Sequence, residues 1–522
     1  MQLVAYGAQD VYLTGNPQIT FWKVTYRRYT NFSIESIEQT FNGQADFGRR
    51  VQCTVSRNGD LAYRTYLQVT LPEVCQENCC GGSAENVFAR WLDYPGEQLI
   101  SMVEVEIGGQ RIDRQYGDWM HIWNQLTLSK EQERGYYKMI GNTTQLTYIT
   151  DPEFADVDGP CSADGVRQVC APRNALPETT LYVPLQFWYC RNPGLALPLI
   201  ALQYHEVKIN LDIRNIEECL WAVKDLGGSG TKADDAYKQS LAAASLFVDY
   251  IFLDTDERRR MAQNPHEYLI EQLQFTGDES VGSSSNKIKL NLNHPCKELV
   301  WVVQPDANVD YCASLQSGQQ LNKLLGAQPF NYTDAFDVLP NAVHAFGAQG
   351  LVGSDANGMI ATADGGMFVD PFASEHTGTS EGPTGDQVVE SGVSDAGTFV
   401  LAETALDMHC WGENPVVVAK LQLNGQDRFS EREGTYFDLV QPFQHHTRAP
   451  DTGINVYSFA LRPEEHQPSG TCNFSRIDNA TLQLVLSNAT VSGVNTAKVR
   501  VYAVNYNVLR IMSGMGGLAY SN

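Results

Sequence analysis

The chain has 522 residues, with 37 Lys and Arg against 61 Asp and Glu for a net charge of −24, and it is 43% hydrophobic and 10% aromatic. That length exceeds what one hydrophobic core usually organises, so two domains are expected, and the apolar content excludes a disordered chain. The charge excludes a general affinity for nucleic-acid phosphates, because so acidic a surface repels them.

The opening run MQLVAYGAQDVYLTG lacks the basic and apolar regions of a secretory signal. The most apolar stretches, LYVPLQFWY and LALPLIALQY, reach about half a membrane span and contain proline. A soluble protein made in the cytosol, with reduced cysteines, is therefore expected. Short alternating runs then dominate the chain: RVQCTVSRNGDLAYRTYLQVTL, ISMVEVEIGG, NKIKLNLN, VVVAKLQLNG, ATLQLVLS and AKVRVYAVNYNVLRI. Each has strand length and period two and is bounded by Asn-Gly, Gly-Gly, Pro or Ser clusters. Helical patterns are confined to YGDWMHIWNQL, SKEQERGYYKMI, NIEECLWAVKDL and TDERRRMAQN. Many short strands with turn punctuation indicate an all-β sandwich or jelly roll.

The strand landmarks come twice, in one order. Residues 51–70 have a partner in 286–303, and the strand ending at Gly109-Gln110 has one ending at Gly425-Gln426. Residues 197–211 pair with 474–486, and 244–262 with 497–514. Two copies of one sandwich is the economical reading. The largest insertion lies in the second copy, at about 305–415. From Leu324 to Ala419 there is no Lys or Arg but 13 Asp or Glu, and a segment this long and polar is expected to be an exposed acidic loop.

Several groupings invite a chemical reading. Asp427, Arg428, Glu431, Arg432 and Glu433 could form an acid/base cluster, but pairing among themselves at a strand end explains them better, and the first copy repeats Arg111, Asp113 and Arg114. His445 and His446 are neighbours; on an extended strand they would point to opposite faces and could not share a metal. Cys75, Cys79, Cys80, Cys161 and Cys170 lack the paired spacing of a zinc knuckle. GTSEG at 378–382 fits a nucleophile elbow without the strand and helix that motif needs. GSGTKA at 228–233 resembles a dinucleotide turn, but the preceding LWAVKDLG reads as helix rather than strand. Arg258, Arg259 and Arg260 could form a local basic patch. No catalytic residue, metal ligand or cofactor is therefore expected. Sequons stand at Asn31, Asn142, Asn331, Asn473, Asn479 and Asn488; Asn142 and Asn331 are the candidate glycosylation sites, Asn331 being expected to be the most exposed.

Read together, GAQDVYLTGNPQITFWKVTYRRYTNF, ALQYHEVKI, FLDTDERRRMAQNPHEYLIEQLQ, HPCKELVWVVQ, the NGQDRF region through FALRPEEHQPSGTCNFSRIDNATL, and NYNVLRIMSGMGGLAYSN resemble the double jelly-roll major capsid proteins of nucleocytoplasmic large DNA viruses, such as iridoviruses, phycodnaviruses and marseilleviruses. The blocks run from residue 7 to the end. The resemblance implies an all-β chain of two consecutive eight-stranded jelly rolls with a few short helices in loops: an N-terminal arm at 1–24, a first roll at 25–262 and a second at 263–522. It implies a structural, non-enzymatic shell protein of the virion, made in the host cytoplasm, whose homotrimers form pseudo-hexagonal capsomers. Neighbouring capsomers, minor capsid proteins and penton proteins would be its partners, with the inner face near the viral internal membrane and no direct contact with nucleic acid. Phe21, Trp22 and Tyr26 are expected to anchor the arm by aromatic burial. The competing reading is a carbohydrate-binding or cupin-like β-sandwich.

Overall fold

A computed structural model describes residues 4–74, 87–147, 176–224, 232–309, 326–334, 359–360, 368–369 and 412–520. Among the described residues, sixteen strands form the main paths of its two sandwiches, with the short strands Leu197–Pro198, Cys472–Asn473 and Met515–Leu518 added beside them. In the first they are β1 (Phe32–Gln39), β2 (Arg50–Thr54), β3 (Leu61–Leu71), β4 (Ile100–Ile107), β5 (Gln110–Tyr116), β6 (Thr179–Pro184), β7 (Val207–Ile213) and β8 (Ala243–Leu253). In the second they are β9 (His266–Val281), β10 (Ser285–Leu290), β11 (Pro295–Pro305), β12 (Val416–Leu423), β13 (Gln426–Glu433), β14 (Asn455–Ser458), β15 (Ala480–Leu486) and β16 (Ala497–Met512).

The first sandwich has sheets ordered β1-β8-β3-β6 and β2-β7-β4-β5; the second has β9-β16-β11-β14 and β10-β15-β12-β13. The second order is the first with every strand replaced by its counterpart, so the fold is a double jelly roll, and all ladders are antiparallel. The turns that join counterpart strands are also matched. Gly108 (φ 57°) and Gly109 (φ 86°) link β4 to β5, and Asn424 (φ 51°) and Gly425 (φ 83°) link β12 to β13, the positive-φ pairs a tight hairpin requires.

Alternation follows the sequence where one face meets solvent: in β3 the side chains of Leu67, Val69 and Leu71 are buried, with half-buried residues between. It vanishes in β11, where ten consecutive residues from Cys296 are buried. The cause is α1 (Gly117–Thr127), which lies on the outer face of the second roll's β9-β16-β11-β14 sheet. Its Trp119, Ile122, Trp123 and Leu126 form one cluster with Val300, Val302, Tyr502 and Val504. Separate cores fill each sandwich, one around Leu67, Val105 and Val248, the other around Trp301, Leu421 and Val501. The two rolls are thus sealed by apolar contact, as two packed layers must be.

Three helical expectations hold: α1, α2 (Lys130–Ile140) and α3 (Thr255–Gln263). NIEECLWAVKDL does not form one helix. Ile216–Cys219 makes a single helical turn, then Leu220–Val223 is a strand paired with Phe88–Trp91, because Leu220, Trp221, Ala222 and Val223 are buried all round and have an edge to join. A strand therefore does precede the Gly-rich 228–233, contrary to the helix expected there; residues 225–231 lie outside the described residues. Among the described residues no helix is long and apolar enough to cross a membrane.

Candidate assembly surfaces and charged clusters

The charged stretch after the second Gly turn is a sheet edge. β13 pairs with β12 on one side only and exposes every residue except Phe429. Asp427 receives Lys420 Nζ at 2.8 Å and Gln422 Nε2 at 2.8 Å, both from β12, and the Lys420 and Gln422 contacts hold its carboxyl below the usual range. Arg432 lies over the Tyr436 ring at 4.3 Å and Arg428 over Phe459 at 5.9 Å. The expected pairing is structural, but its partners sit on the neighbouring strand and on aromatic faces rather than within the run itself. In the first roll, Arg114 donates to Glu104 at 2.9 Å, while Asp113 is buried and accepts from the Leu273 N–H of β9 at 3.1 Å. Burial pushes the Asp113 carboxyl up to about 7, against the opposing pull of Leu273 N–H, Arg191, Arg114 N–H and Gln115.

The His pair is not on a strand. A π-turn, Tyr436–Val440, continues into α4, Gln441–His445, so FDLVQPFQ is helical and the two histidines leave its last turn. The strand premise fails because His445 ends the helix and His446 is the extended residue that follows it. His445 Nδ1 lies 3.1 Å from Leu461 O. The His446 side chain is wholly buried between two carboxylates, Nε2 at 2.8 Å from Glu298 and Nδ1 at 2.9 Å from Glu464. Burial opposes its charge, but Glu298 and Glu464 outweigh that and hold it up at about 9. A doubly bonded imidazolium is a clamp, without a free nitrogen for proton transfer or metal binding.

Other clusters at the seam between the rolls carried no local sequence signal, since their members lie far apart in the chain. Glu271 on β9 receives Lys297 Nζ at 2.7 Å, Arg191 at 3.0 Å and His466 at 3.3 Å. Burial would raise its pKa, but His466, Lys297 and Arg191 depress it to about 2. Asp118, at the start of α1, receives Arg500 at 3.0 Å from the second roll and Arg214 at 3.2 Å from the first. Arg191 also lies 4.2 Å above the Trp123 ring. Glu97 gathers His121 at 2.8 Å, Tyr136 OH at 2.6 Å and the Asn124 amide at 3.2 Å. Both Glu97 and His121 are 1% exposed, so this group fixes helices and meets no substrate. Among the described residues no group of three or more His, Cys, Asp or Glu is placed to hold a metal.

Arg258 of the basic patch pairs with Asp60 at 2.9 Å, across to the loop before β3. Cys75, Cys79, Cys80, Cys161, Cys170 and GTSEG lie outside the described residues, as does most of the acidic insertion. One part of that insertion overturns the surface expectation. Residues 326–333 are buried, and Phe330 and Tyr332 join the cluster under α1. Asn331 is accordingly 6% exposed; its Nδ2 donates to Gln328 Oε1 at 2.8 Å and its Oδ1 accepts from Thr333 N–H at 3.0 Å. It is among the least exposed of the sequons, because the aromatic neighbours that flank it are drawn into the seam. Asn142 is half-buried and lines an open cleft of about 570 Å³ with Lys130, Arg134 and Lys138. Asn31, Asn473, Asn479 and Asn488 are exposed.

Among the described residues, two stretches of open apolar surface stand out, beside a smaller group at Tyr204, Met512 and Met515. Along the arm, Phe21, Trp22 and Tyr26 are 101%, 85% and 85% exposed, so among the described residues they are not anchored by burial. The arm leads into β1, whose first residues are exposed at the free edge of its sheet. On the second roll, Leu439, Val440 and Phe443 of the π-turn and α4 are open to solvent. Aromatics exposed in series are a signature of contact surfaces.

A model of the major capsid protein N-terminus matches residues 20–254, and one of the large eukaryotic DNA virus major capsid protein matches residues 257–517. The major capsid protein of Phaeocystis pouchetii virus is 84% identical, over 100% of this chain and 99% of its own. That of Paramecium bursaria Chlorella virus 1 is 40% identical, again over 100% and 99%. A solved quasi-atomic model of the PBCV-1 virus capsid superimposes with a TM-score of 0.61 and 34% identity, over 96% of this chain and 100% of that one. The Faustovirus major capsid protein, at a TM-score of 0.62 and 14% identity, shares the fold over 97% of this chain and 94% of its own.

Proposed function

The chain belongs to the large eukaryotic DNA virus major capsid protein family, whose members are structural units of the virion shell, and we propose that it works as a homotrimeric capsomer with no enzymatic activity. The observation that carries this reading is the strand-for-strand match of the two rolls, sealed into one block by α1. Two near-equivalent rolls per chain let three chains fill six positions around a threefold axis, which gives a pseudo-hexagonal outline that can tile a surface. The natural partition is an arm at 1–24, a first roll at 25–262 and a second at 263–522. The arm, exposed on its own chain, finds its cover on other components of the shell: neighbouring capsomers, minor capsid and penton proteins, or the layer next to an internal membrane. Assembly would take place in the host cytoplasm, and the lack of direct genome contact fits a net charge of −24.

Purified protein should sediment at about 170 kDa, three chains of 58.0 kDa, and give six-cornered particles in negative stain. Removing residues 1–24 should leave the thermal transition of the rolls in place while reducing shell assembly. Normal shells from the truncated chain would refute the role given to the arm.

A further inference from the structure

The internal repeat extends past the last strand of each hairpin. β5 is followed by Gly117 and α1; β13 is followed by Gly434 and the helical segment ending at His445. The two glycines answer to one constraint. A Cβ on Gly117 would strike the carbonyl oxygen of Ile100, and a Cβ on Gly434 would strike that of Val416, the first residues of the counterpart strands β4 and β12. Both of those strands also carry a ladder irregularity directly after that first residue.

Counting forward from the two glycines aligns the helices without a gap. Met120 falls on Phe437, and both are fully buried in the core of their own roll. Ile122, Trp123 and Leu126 fall on Leu439, Val440 and Phe443. The first three are, with Trp119, the side chains that α1 presses onto the second roll; Trp119 falls on Tyr436, which packs against its own core, but the other three counterparts are 55%, 39% and 85% exposed. The receiving surface has a counterpart too. α1 covers the outer face of the β9-β16-β11-β14 sheet, where Val300 of β11 pairs with Tyr502 of β16 and Val456 of β14. On the matching sheet of the first roll, β1-β8-β3-β6, the outward side chains include the aromatics Tyr66, Phe247 and Tyr182 among polar neighbours such as Gln68 and Asp249. Tyr66 stacks on Phe247 with ring centres 5.2 Å apart and meets Tyr182 edge-on at 6.2 Å. Tyr182 is 39% exposed, and Tyr66 and Phe247 are half-open to solvent.

We propose that the Leu439, Val440 and Phe443 surface of one copy seats on the Tyr66, Phe247 and Tyr182 face of a second copy, repeating between chains the contact that α1 makes within one. The occupant is a second copy of this chain because the two surfaces are the unpaired halves of a contact whose paired version already exists here. The contact is heterologous, helix to sheet, and it closes into a ring rather than extending into a filament if its rotation matches the internal one. It rests on the trimer reading above and supplies the contact that reading lacks.

The test compares full-length chains by light scattering across a concentration series, with thermal melting as the check on folding. Phe443→Asp and Tyr182→Asp, both at exposed positions, should raise the concentration needed for trimers at least about tenfold with melting unchanged. Phe443→Asp combined with Tyr182→Lys should regain trimers. A photo-reactive phenylalanine at 443 should cross-link to peptides holding residues 61–71 or 179–184 of another chain. Trimers that form equally well in both single variants, or a cross-link that maps to the same chain or to other peptides, overturn this contact and leave the trimer reading standing. A wild-type chain that stays monomeric at every concentration overturns both.

Discussion

At the scale of single residues, what separates the charged groups is burial and not their number. The Lys297 side chain is 1% exposed and depends on the Glu271 carboxylate at 2.7 Å. Removing one partner of a buried pair leaves the other charge uncompensated, a loss of about 3–5 kcal/mol. Glu271→Gln should therefore lower the thermal midpoint by many degrees, whereas Asp427→Asn, on the exposed edge of β13, should leave it within the scatter of ordinary surface changes. Equal effects from the two variants, measured by calorimetry, would contradict this ranking. The run around Asp427 is dense in sequence and stands on one exposed strand, while the Glu271 group is assembled from four separate segments, around residues 191, 271, 297 and 466. Density of charge in the sequence marks the weaker of the two sites.

At the scale of elements, α1 decides how the rolls are joined. Its sequence YGDWMHIWNQL announces a helix through apolar residues on more than one face, and a helix hydrophobic on several sides must be covered on several sides. Met120 enters the first roll's core while Trp119, Ile122, Trp123 and Leu126 enter the seam. Trp123→Ala should cost about 3–5 kcal/mol by opening a cavity there. Its signature should be a split of the single calorimetric transition into two, with far-ultraviolet dichroism at low temperature unchanged. A single transition merely shifted downward would show that the rolls remain coupled without it. The same element logic was legible in the hairpins, where alternation, Gly-Gly and Asn-Gly located β4–β5 and β12–β13. It was not legible for Gln441–His445, where a short apolar run after a strand reads alike as strand or helix.

At the scale of the whole molecule, pH should act on stability from both sides through buried groups. Glu271 has its pKa depressed to about 2, so its contribution is present above the ordinary carboxylate value of 4.5 and is lost as pH falls through 2. His446 is raised to about 9, so its contribution is complete below 6.5 and is lost as pH rises through 9. Asp113 and Asp438, which burial pushes up to about 7 and about 6, prefer the protonated form and weaken the fold as pH climbs from 3.8 through those values. The stability maximum should therefore lie on the acid side of neutrality, at roughly pH 4–5. Melting midpoints of the isolated chain between pH 2 and 10 test this; a midpoint that climbs from pH 6 to 9 would refute it. His446→Gln should flatten the alkaline limb selectively.

The sequence alone determined the strands, the paired turns, the repeat and, through the resemblance, the family. Each of these is written in local alternation or in ordered blocks of identity, which need no knowledge of what packs where. The tertiary structure alone decided which apolar residues face which neighbour. Side chains buried on both faces, such as those of β11, erase the period by which a strand is read, because their second partner comes from another roll. Asn331 became buried for the same reason: Phe330 and Tyr332 beside it fit the seam under α1, and nothing in the composition of a long acidic insertion marks the few residues that the core will claim.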